Sequence, residues 1–124
     1  MTPIQSIGQI AINTHDVPRA VAFYRDILGL DFLFEAGPLA FLQCGDVRIM
    51  LSAPENPEFD HPSSVLYLRV EDIHSARDEL AGRGVVFEDE PHLIAELEDH
   101  DLWMTFFRDP DRNYLALMSE VRKS

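Results

Sequence analysis

Residues 9–30 read QIAINTHDVPRAVAFYRDILGL, and this stretch begins the structural unit that decides the fold. Apolar and polar residues alternate over Ile7–Asn13, which predicts a strand. Asp16 is a suitable helix N-cap, because its carboxylate can accept free amide protons of the first turn, and Pro18 fits that turn. Gly29 stands where a helix stop favours a left-handed residue. The stretch therefore predicts a strand followed by one amphipathic helix.

Three further strands are predicted after this helix. The first lies at Asp31–Glu35. The other two, Leu39–Cys44 and Val47–Ser52, flank Gly45 and Asp46, which form a two-residue hairpin signal. Together with the preceding strand and helix, these strands complete a βαβββ unit.

The same order of elements returns in the second half of the chain. Asp72 follows Asp16 by 56 positions as a second N-cap, and Leu115 follows Ile49 by 66 positions in the matching last strand. Because caps, helix stops and hairpins recur in one order, we interpret the chain as an internal repeat. The second unit is expected to contain a strand at Val65–Val70, a helix ended by Gly82 and Gly84, a short strand at Val85–Glu88, a polar loop at Asp89–Asp101, and strands at Leu102–Arg108 and Asn113–Ser119.

The repeat predicts an α+β fold in a single domain over residues 1–124. We expect the first module at about 5–53, a linker at about 54–63 and the second module at about 64–120. Pro57 and Pro62 lie in the linker, where the apolar periodicity is weak.

Composition and charge narrow the class of protein. The 124 residues are 46% hydrophobic, which is within the globular range. The formal net charge of −12 disfavours binding to nucleic acid or to an anionic membrane surface. Cys44 is the only cysteine, so no intrachain disulfide can form. No export signal or membrane-spanning run is recognisable, and we expect a soluble cytoplasmic protein.

The two faces of the predicted sheet differ in character. One face is aliphatic and is expected to pack under the helices; it carries Ile10, Ile12, Ile49, Leu51, Leu66, Leu68, Leu115 and Leu117. The opposite face follows from two assumed pairings, Cys44 with Val47 and Arg108 with Asn113. This helix-free face would carry Gln9, Phe41, Gln43, Arg48, Met50, Val65, Tyr67, Arg69, Trp103, Thr105, Phe107, Tyr114, Ala116 and Met118. An aromatic face with few polar groups is typical of a ligand pocket, and cover by loops or another chain is the alternative.

Three strings carry a family resemblance: QIAINTHD at residues 9–16, FYRDILGL at residues 23–30 and FRDPDRN at residues 107–113. They resemble the modules of the vicinal-oxygen-chelate superfamily, which comprises glyoxalases, bleomycin-resistance proteins and dioxygenases. The resemblance implies a mixed sheet curled into a cup, with helices on the outer face and the site on the inner, helix-free face. It implies a divalent metal in the glyoxalase and dioxygenase types, and none in the bleomycin-resistance type.

The metal-ligand positions of that family can be carried over one at a time. They fall on Gln9, Met50, Val65 and Ala116. Only the first of these offers an oxygen donor, and hard divalent cations need several. We therefore expect no metal. A relocated site is the alternative, in which Gln9, His92 and His100 would bind zinc.

The residues expected to contact a ligand are Gln9, Phe41, Arg48, Met50, Val65, Tyr67, Arg69, His92, His100, Trp103, Phe107, Tyr114 and Ala116. Their aromatic rings would stack on the ligand, and the guanidinium groups of Arg48 and Arg69 would meet negative charge. His92 and His100 flank the long loop of the second unit, which could close over the site. The sequence assigns no catalytic residue.

Three functions remain open. The leading hypothesis is a metal-independent protein of the bleomycin-resistance type that binds a small organic molecule. The second is an enzyme, either a glyoxalase-like lyase or isomerase or a dioxygenase-like metalloenzyme with a relocated metal site. The third is a ligand sensor or a structural dimer. Because members of the family usually complete the cup across two chains, we also expect a homodimer.

Overall fold

The computed structural model describes residues 2–123, and the chain divides into two units, Met1–Ser63 and Ser64–Ser124. Each unit contains one four-stranded mixed sheet with helical turns packed against it. The order of elements in each is strand, helix and three strands, so the predicted α+β fold of two βαβββ units is confirmed. No helix among residues 2–123 is both long and apolar enough to cross a membrane.

The sheet of the first unit has the strand order β1-β4-β3-β2. Its strands are β1 (Gln9–Asn13), β2 (Asp31–Ala36), β3 (Leu39–Cys44) and β4 (Val47–Ser52). The first and last of these run parallel, and the β3–β4 hairpin pairs Cys44 with Val47, as predicted. Gly45 in the hairpin turn has a φ of 59°, which a glycine adopts without strain.

The helix of the first unit changes from α-helical to π-helical hydrogen bonding along its length. An α-helical part, α1 (Val17–Val21), continues into a π-helical turn over Ala22–Ile27. The carboxylate of Asp16 accepts a hydrogen bond from the amide of Arg19 at 3.1 Å, which confirms the predicted cap. Gly29 follows with a φ of 81°, as the helix stop requires.

The sheet of the second unit has the order β5-β8-β7-β6. Its elements are β5 (Leu66–Arg69), α2 (Ile73–Gly82), β6 (His92–Glu96), β7 (His100–Arg108) and β8 (Tyr114–Arg122). The prediction of a strand at Val85–Glu88 is wrong, because only one isolated bridge forms there, between Phe87 and Phe107. The fourth strand is β6 instead, inside the segment that was expected to be a polar loop.

The register of the β7–β8 hairpin also differs from the expectation. Arg108 pairs with Tyr114 and not with Asn113. The loop consists of residues 110–112, and its last residue, Arg112, has a φ of 67°. Such loops combine a tight turn with one left-handed residue, and the amide of Asp109 closes the loop on the carbonyl of Asn113 at 3.0 Å.

This one-residue shift moves every side chain of β7 to the other face of its sheet. Trp103, Thr105 and Phe107 now pair with Ser119, Leu117 and Leu115 on the side covered by α2. Phe107 and Thr105 are fully buried there. The placement of Trp103, Thr105 and Phe107 on the helix-free face was therefore wrong.

The aliphatic face forms the core of each unit, as the alternation predicts. In the first unit α1 packs on β3 and β4, where Leu42 and Leu51 are buried, and Ile12 of the neighbouring β1 is buried as well. In the second unit α2 packs on β7 and β8, where Leu115 and Leu117 are buried.

Candidate functional site

The helix-free face of the first unit brings four predicted site residues together. The Nε of Arg48 donates to the side-chain oxygen of Gln9 at 2.8 Å, and the amide nitrogen of Gln9 lies 3.4 Å from the sulfur of Met50. The guanidinium carbon of Arg48 lies 5.3 Å from the ring centroid of Phe41, within cation–π distance. Both ends of the Gln9 amide are therefore engaged by its neighbours.

These contacts do not suit a divalent metal ion. The oxygen of Gln9 already accepts a hydrogen bond from a guanidinium group, whose positive charge opposes a dication at the same place. Met50 offers only a thioether, which is a soft ligand. Within the described range, no group of three His, Cys, Asp or Glu residues is arranged to hold a metal ion.

Arg48 is the exposed cation on this face. Among residues 2–123, no carboxylate lies within 4.0 Å of its guanidinium group. Beside it, the rings of Phe34 and Phe41 stack with centroids 4.6 Å apart. The first unit thus presents an unneutralised positive charge next to a stacked aromatic pair.

The helix-free face of the second unit carries an aromatic shelf, which we define as Tyr67, Phe106 and Tyr114. Phe106 stacks on Tyr114 at 5.4 Å between ring centroids and meets the edge of Tyr67 at 6.3 Å. Ala116 pairs with both Tyr67 and Phe106 across the sheet and is fully buried between them. The shelf remains accessible, since Tyr67 is 49% exposed.

Two polar side chains border the aromatic shelf. The guanidinium of Arg108 lies 4.5 Å from the ring centroid of Tyr114 and donates to Glu88 at 2.8 Å. The imidazole of His92 lies 6.4 Å from the ring centroid of Phe106, and its Nδ1 lies 3.0 Å from the carbonyl oxygen of Glu90. Because one ring nitrogen of His92 faces a carbonyl, Nε2 is the nitrogen left to contact a ligand.

A charged network occupies another part of the same face. Arg69 and His100 both contact the carboxylate of Glu120, at 2.9 Å and 3.1 Å. The other ring nitrogen of His100 lies 2.7 Å from Asp99, and this hydrogen bond lowers the pKa of the Asp99 carboxyl. Arg69 is therefore paired, in contrast to Arg48.

The remaining predicted site residues lie elsewhere. Val65 is exposed and precedes β5. Trp103 lies on the helix side, with its ring centroid 5.9 Å from that of His74 on α2. Gln9 belongs to the first unit and both His92 and His100 belong to the second, so neither unit by itself assembles the alternative zinc site.

Sequence reasoning missed Phe106 and Arg108 as residues of the helix-free face. The face was assigned wrongly because the loop before β8 was assumed to have four residues. It has three, and Arg112 adopts the left-handed conformation that such a loop needs. Cys44 is a poor nucleophile candidate, since partial burial raises the pKa of its thiol.

Comparisons with known proteins agree with this architecture. The family profile described as Glyoxalase/Bleomycin resistance protein/Dioxygenase superfamily matches residues 6–117. The chain is 28% identical over 123 residues to the uncharacterized protein YraH of Bacillus subtilis (strain 168), covering 88% of this chain and 94% of that protein.

Two solved structures share the fold. The antibiotic-binding protein TnmS3 from Streptomyces sp. CB03234 has a TM-score of 0.77 at 22% identity, covering 97% of this chain and 99% of that one. The lactoylglutathione lyase from Agrobacterium tumefaciens has a TM-score of 0.75 at 21% identity, covering 94% of this chain and 95% of that one. At these identities the similarity concerns the fold alone.

Proposed function

Because the chain belongs to the Glyoxalase/Bleomycin resistance protein/Dioxygenase superfamily, we propose that it binds a small organic molecule on the helix-free face of its second unit, without a metal ion. The aromatic shelf of Tyr67, Phe106 and Tyr114 carries this proposal. A sheet face left to water is ordinarily polar, whereas the exposed ring of Tyr67 beside the half-buried, stacked Phe106 and Tyr114 favours a flat, conjugated ligand. TnmS3, which shares the fold, is an antibiotic-binding protein.

The polar border of the shelf supports a ligand that also has carbonyl or anionic groups. The Nε of Arg108 donates to Glu88 and its Nη1 donates to the carbonyl of Arg112 at 3.2 Å, so Nη2 is the nitrogen left to donate to a ligand, and His92 offers Nε2. Arg69 is a weaker candidate than the sequence predicted, since Glu120 already pairs with it.

The absence of a metal is proposed from the chemistry of the residues. The positions that correspond to the family's ligands hold Gln9, Met50, Val65 and Ala116. The amide of Gln9 is bonded to Arg48, and the side chains of Val65 and Ala116 have no donor atom. Such a set does not repay the dehydration of a dication.

A thermal-shift screen tests the proposal, because a ligand that binds the folded state raises the melting temperature. Aromatic carboxylates and quinone-like compounds are compared with neutral aliphatic compounds. Tyr67→Ala should weaken binding of the best aromatic compound by about three- to tenfold, the range expected for loss of one aromatic contact. Val86→Ala is the matched control, since Val86 is 83% exposed and lies outside the shelf. If neutral aliphatic compounds bind best, the proposal is wrong.

A second comparison tests the charged border of the shelf. Arg108→Gln should weaken binding of aromatic carboxylates more than binding of the matching aromatic alcohols, because the guanidinium of Arg108 borders the ring of Tyr114 and its charge is lost. Arg83→Gln is the control, because it removes the same charge at the end of α2, on the helix side of the sheet. Equal losses in both variants would contradict the assignment to Arg108.

The rival function is turnover by a glyoxalase-like lyase. It is favoured by His92, whose imidazole borders the shelf and could move a proton. Turnover of 2-oxoaldehyde–thiol adducts is therefore measured in the unmodified protein and in His92→Gln. If the unmodified protein turns the adducts over, and His92→Gln abolishes this turnover but still binds aromatic compounds, the protein is an enzyme and not only a binding protein. Without turnover, binding without chemistry remains the proposal.

A further inference from the structure

A cavity of about 400 Å³ lies in the second unit, on the side of the sheet opposite the aromatic shelf. It forms where the start of α2 meets the strands β7 and β8. The indole of Trp103 and the side chains of Ile73 and Val121 supply its apolar walls. A volume of this order is within the range of about 300–1,000 Å³ that small-molecule sites occupy.

The polar residues that line the cavity are two carboxylates, Glu71 and Asp72, together with His74 and Ser119. Glu71 and Asp72 both border it, and neither a lysine nor an arginine does so within the described part of the chain. The carboxylate of Asp72 accepts hydrogen bonds from the amides of His74 and Ser75, at 3.1 Å and 3.2 Å. The bond from Ser75 holds the pKa of this carboxyl below its usual range, so it stays ionised at neutral pH.

The same hydrogen bonds make the cavity unsuitable for an anion. The amides at the start of α2 are already capped by Asp72, so the helix has few free donors to offer. The side chain of Glu71, in contrast, is exposed, and its carboxylate makes no hydrogen bond or ion pair among residues 2–123. Its backbone carbonyl accepts from the hydroxyl of Ser119 at 3.1 Å, which ties this segment to β8.

We propose that this cavity is a second binding site, for a small organic cation with an apolar body. An ammonium group placed between the indole of Trp103 and the carboxylate of Glu71 would gain both a cation–π contact and an ion pair. The apolar part of the ligand would pack on Ile73 and Val121. The site is separate from the aromatic shelf, because Trp103 lies on the helix side of the sheet.

Tryptophan fluorescence tests this site directly, because Trp103 is the only tryptophan of the chain. Three probes of similar size are titrated at pH 7.5: phenethylammonium, the neutral 2-phenylethanol and the anion phenylacetate. The cation should change the fluorescence along a saturable curve and bind about fivefold more tightly than the alcohol, as one partly exposed ion pair allows. Phenylacetate should bind least.

Two variants decide between a specific site and general attraction to an acidic protein. Glu71→Gln should remove most of the roughly fivefold preference for phenethylammonium over 2-phenylethanol and leave the affinity for the alcohol unchanged. Asp78→Asn removes the same charge from an exposed part of α2 that does not line the cavity, and it should leave the affinity for the cation nearly unchanged. Equal losses in both variants, or no saturable change up to millimolar cation, would overturn the proposal.

Discussion

At the scale of single residues, Asp109 is a buried polar side chain whose loss we expect to be costly. It is 5% exposed, and its carboxylate accepts from the amides of Asp111 and Asn113 at 2.9 Å and 2.8 Å. The side-chain amide of Asn113 donates to it at 2.9 Å. Asp109→Ala leaves these donors without their partner and should lower the free energy of unfolding by about 2–3 kcal/mol.

Chemical denaturation measures this loss, with Asp46→Ala as the control. Asp46 occupies the equivalent turn of the first unit, between β3 and β4, but is exposed. Its replacement should change the free energy of unfolding by no more than about 0.5 kcal/mol. Comparable losses in the two variants would show that the Asp109 carboxylate does not organise its loop.

Single residues also explain where the sequence was sufficient and where it was not. The caps at Asp16 and Asp72 act through local hydrogen bonds, so the starts of both helices could be predicted from short windows. The side chains of β7 could not be assigned to a face with the same assurance. Their orientation depends on whether the loop before β8 has three residues or four, and only the left-handed Arg112 distinguishes the two.

At the scale of elements, the linker after β4 is attached to the end of β1. The carboxylate of Asp60 contacts His15 at 2.6 Å and Asn13 at 3.1 Å, and the hydroxyl of Ser63 accepts from the amide of Asn13 at 2.8 Å. The hydrogen bond to His15 chiefly holds the pKa of Asp60 below its usual range. An aspartate with a lowered folded-state pKa contributes its stabilisation above the unfolded value of about 3.9 and loses it as the pH falls through the folded value.

We therefore expect Asp60→Asn to increase amide hydrogen exchange in residues 56–63 at neutral pH, with little change in the melting temperature. In the unmodified chain the same segment should become less protected as the pH falls below about 4, after correction for intrinsic exchange rates. Glu58→Gln is the control, because Glu58 is exposed in the same segment and its side chain takes no part in the attachment. Unchanged protection in Asp60→Asn would contradict this role.

The strand β6 could not be predicted from the sequence, for a different reason. It has five residues, follows Pro91, and lies at the edge of its sheet, where it pairs only with β7. A short edge strand needs no strong apolar alternation, and its pairing is set by the partner strand. The segment 85–88 had the clearer β-like composition, but it makes only the bridge of Phe87 with Phe107.

At the scale of the whole molecule, the repeat conserves the backbone arrangement while the helix-free faces differ. Ile10 pairs with Ile49 in one unit, and the corresponding Leu66 pairs with Leu115 in the other. The first unit presents Arg48 and Gln9 beside the stacked Phe34 and Phe41, whereas the second presents the aromatic shelf. The repeated order of strands and helices was predictable because it depends on the alternation of apolar and polar residues. The chemistry of each helix-free face was harder to predict, because it depends on individual side chains.

The proposal that no metal is bound applies to the molecule as purified. Protein prepared without an affinity tag should contain far less than one equivalent of zinc, nickel, manganese or iron by elemental analysis. A stoichiometric metal that disappears in His92→Ala or His100→Ala would support the relocated site and contradict the proposal. His74→Ala is the control, since His74 lies on α2, on the helix side of the sheet.

We also predict a homodimer, because apolar surface is exposed on the helix-free faces. Phe34 is 47% exposed and Tyr67 is 49% exposed, and rings of this kind are costly to leave in water unless something covers them. Light scattering at micromolar concentration should give twice the 14.1 kDa of one chain. Phe34→Asp should shift the protein towards the monomer, whereas Ile4→Asp, at a 74% exposed residue outside the sheets, should not. A monomeric unmodified chain would mean that water or a small ligand alone covers these rings.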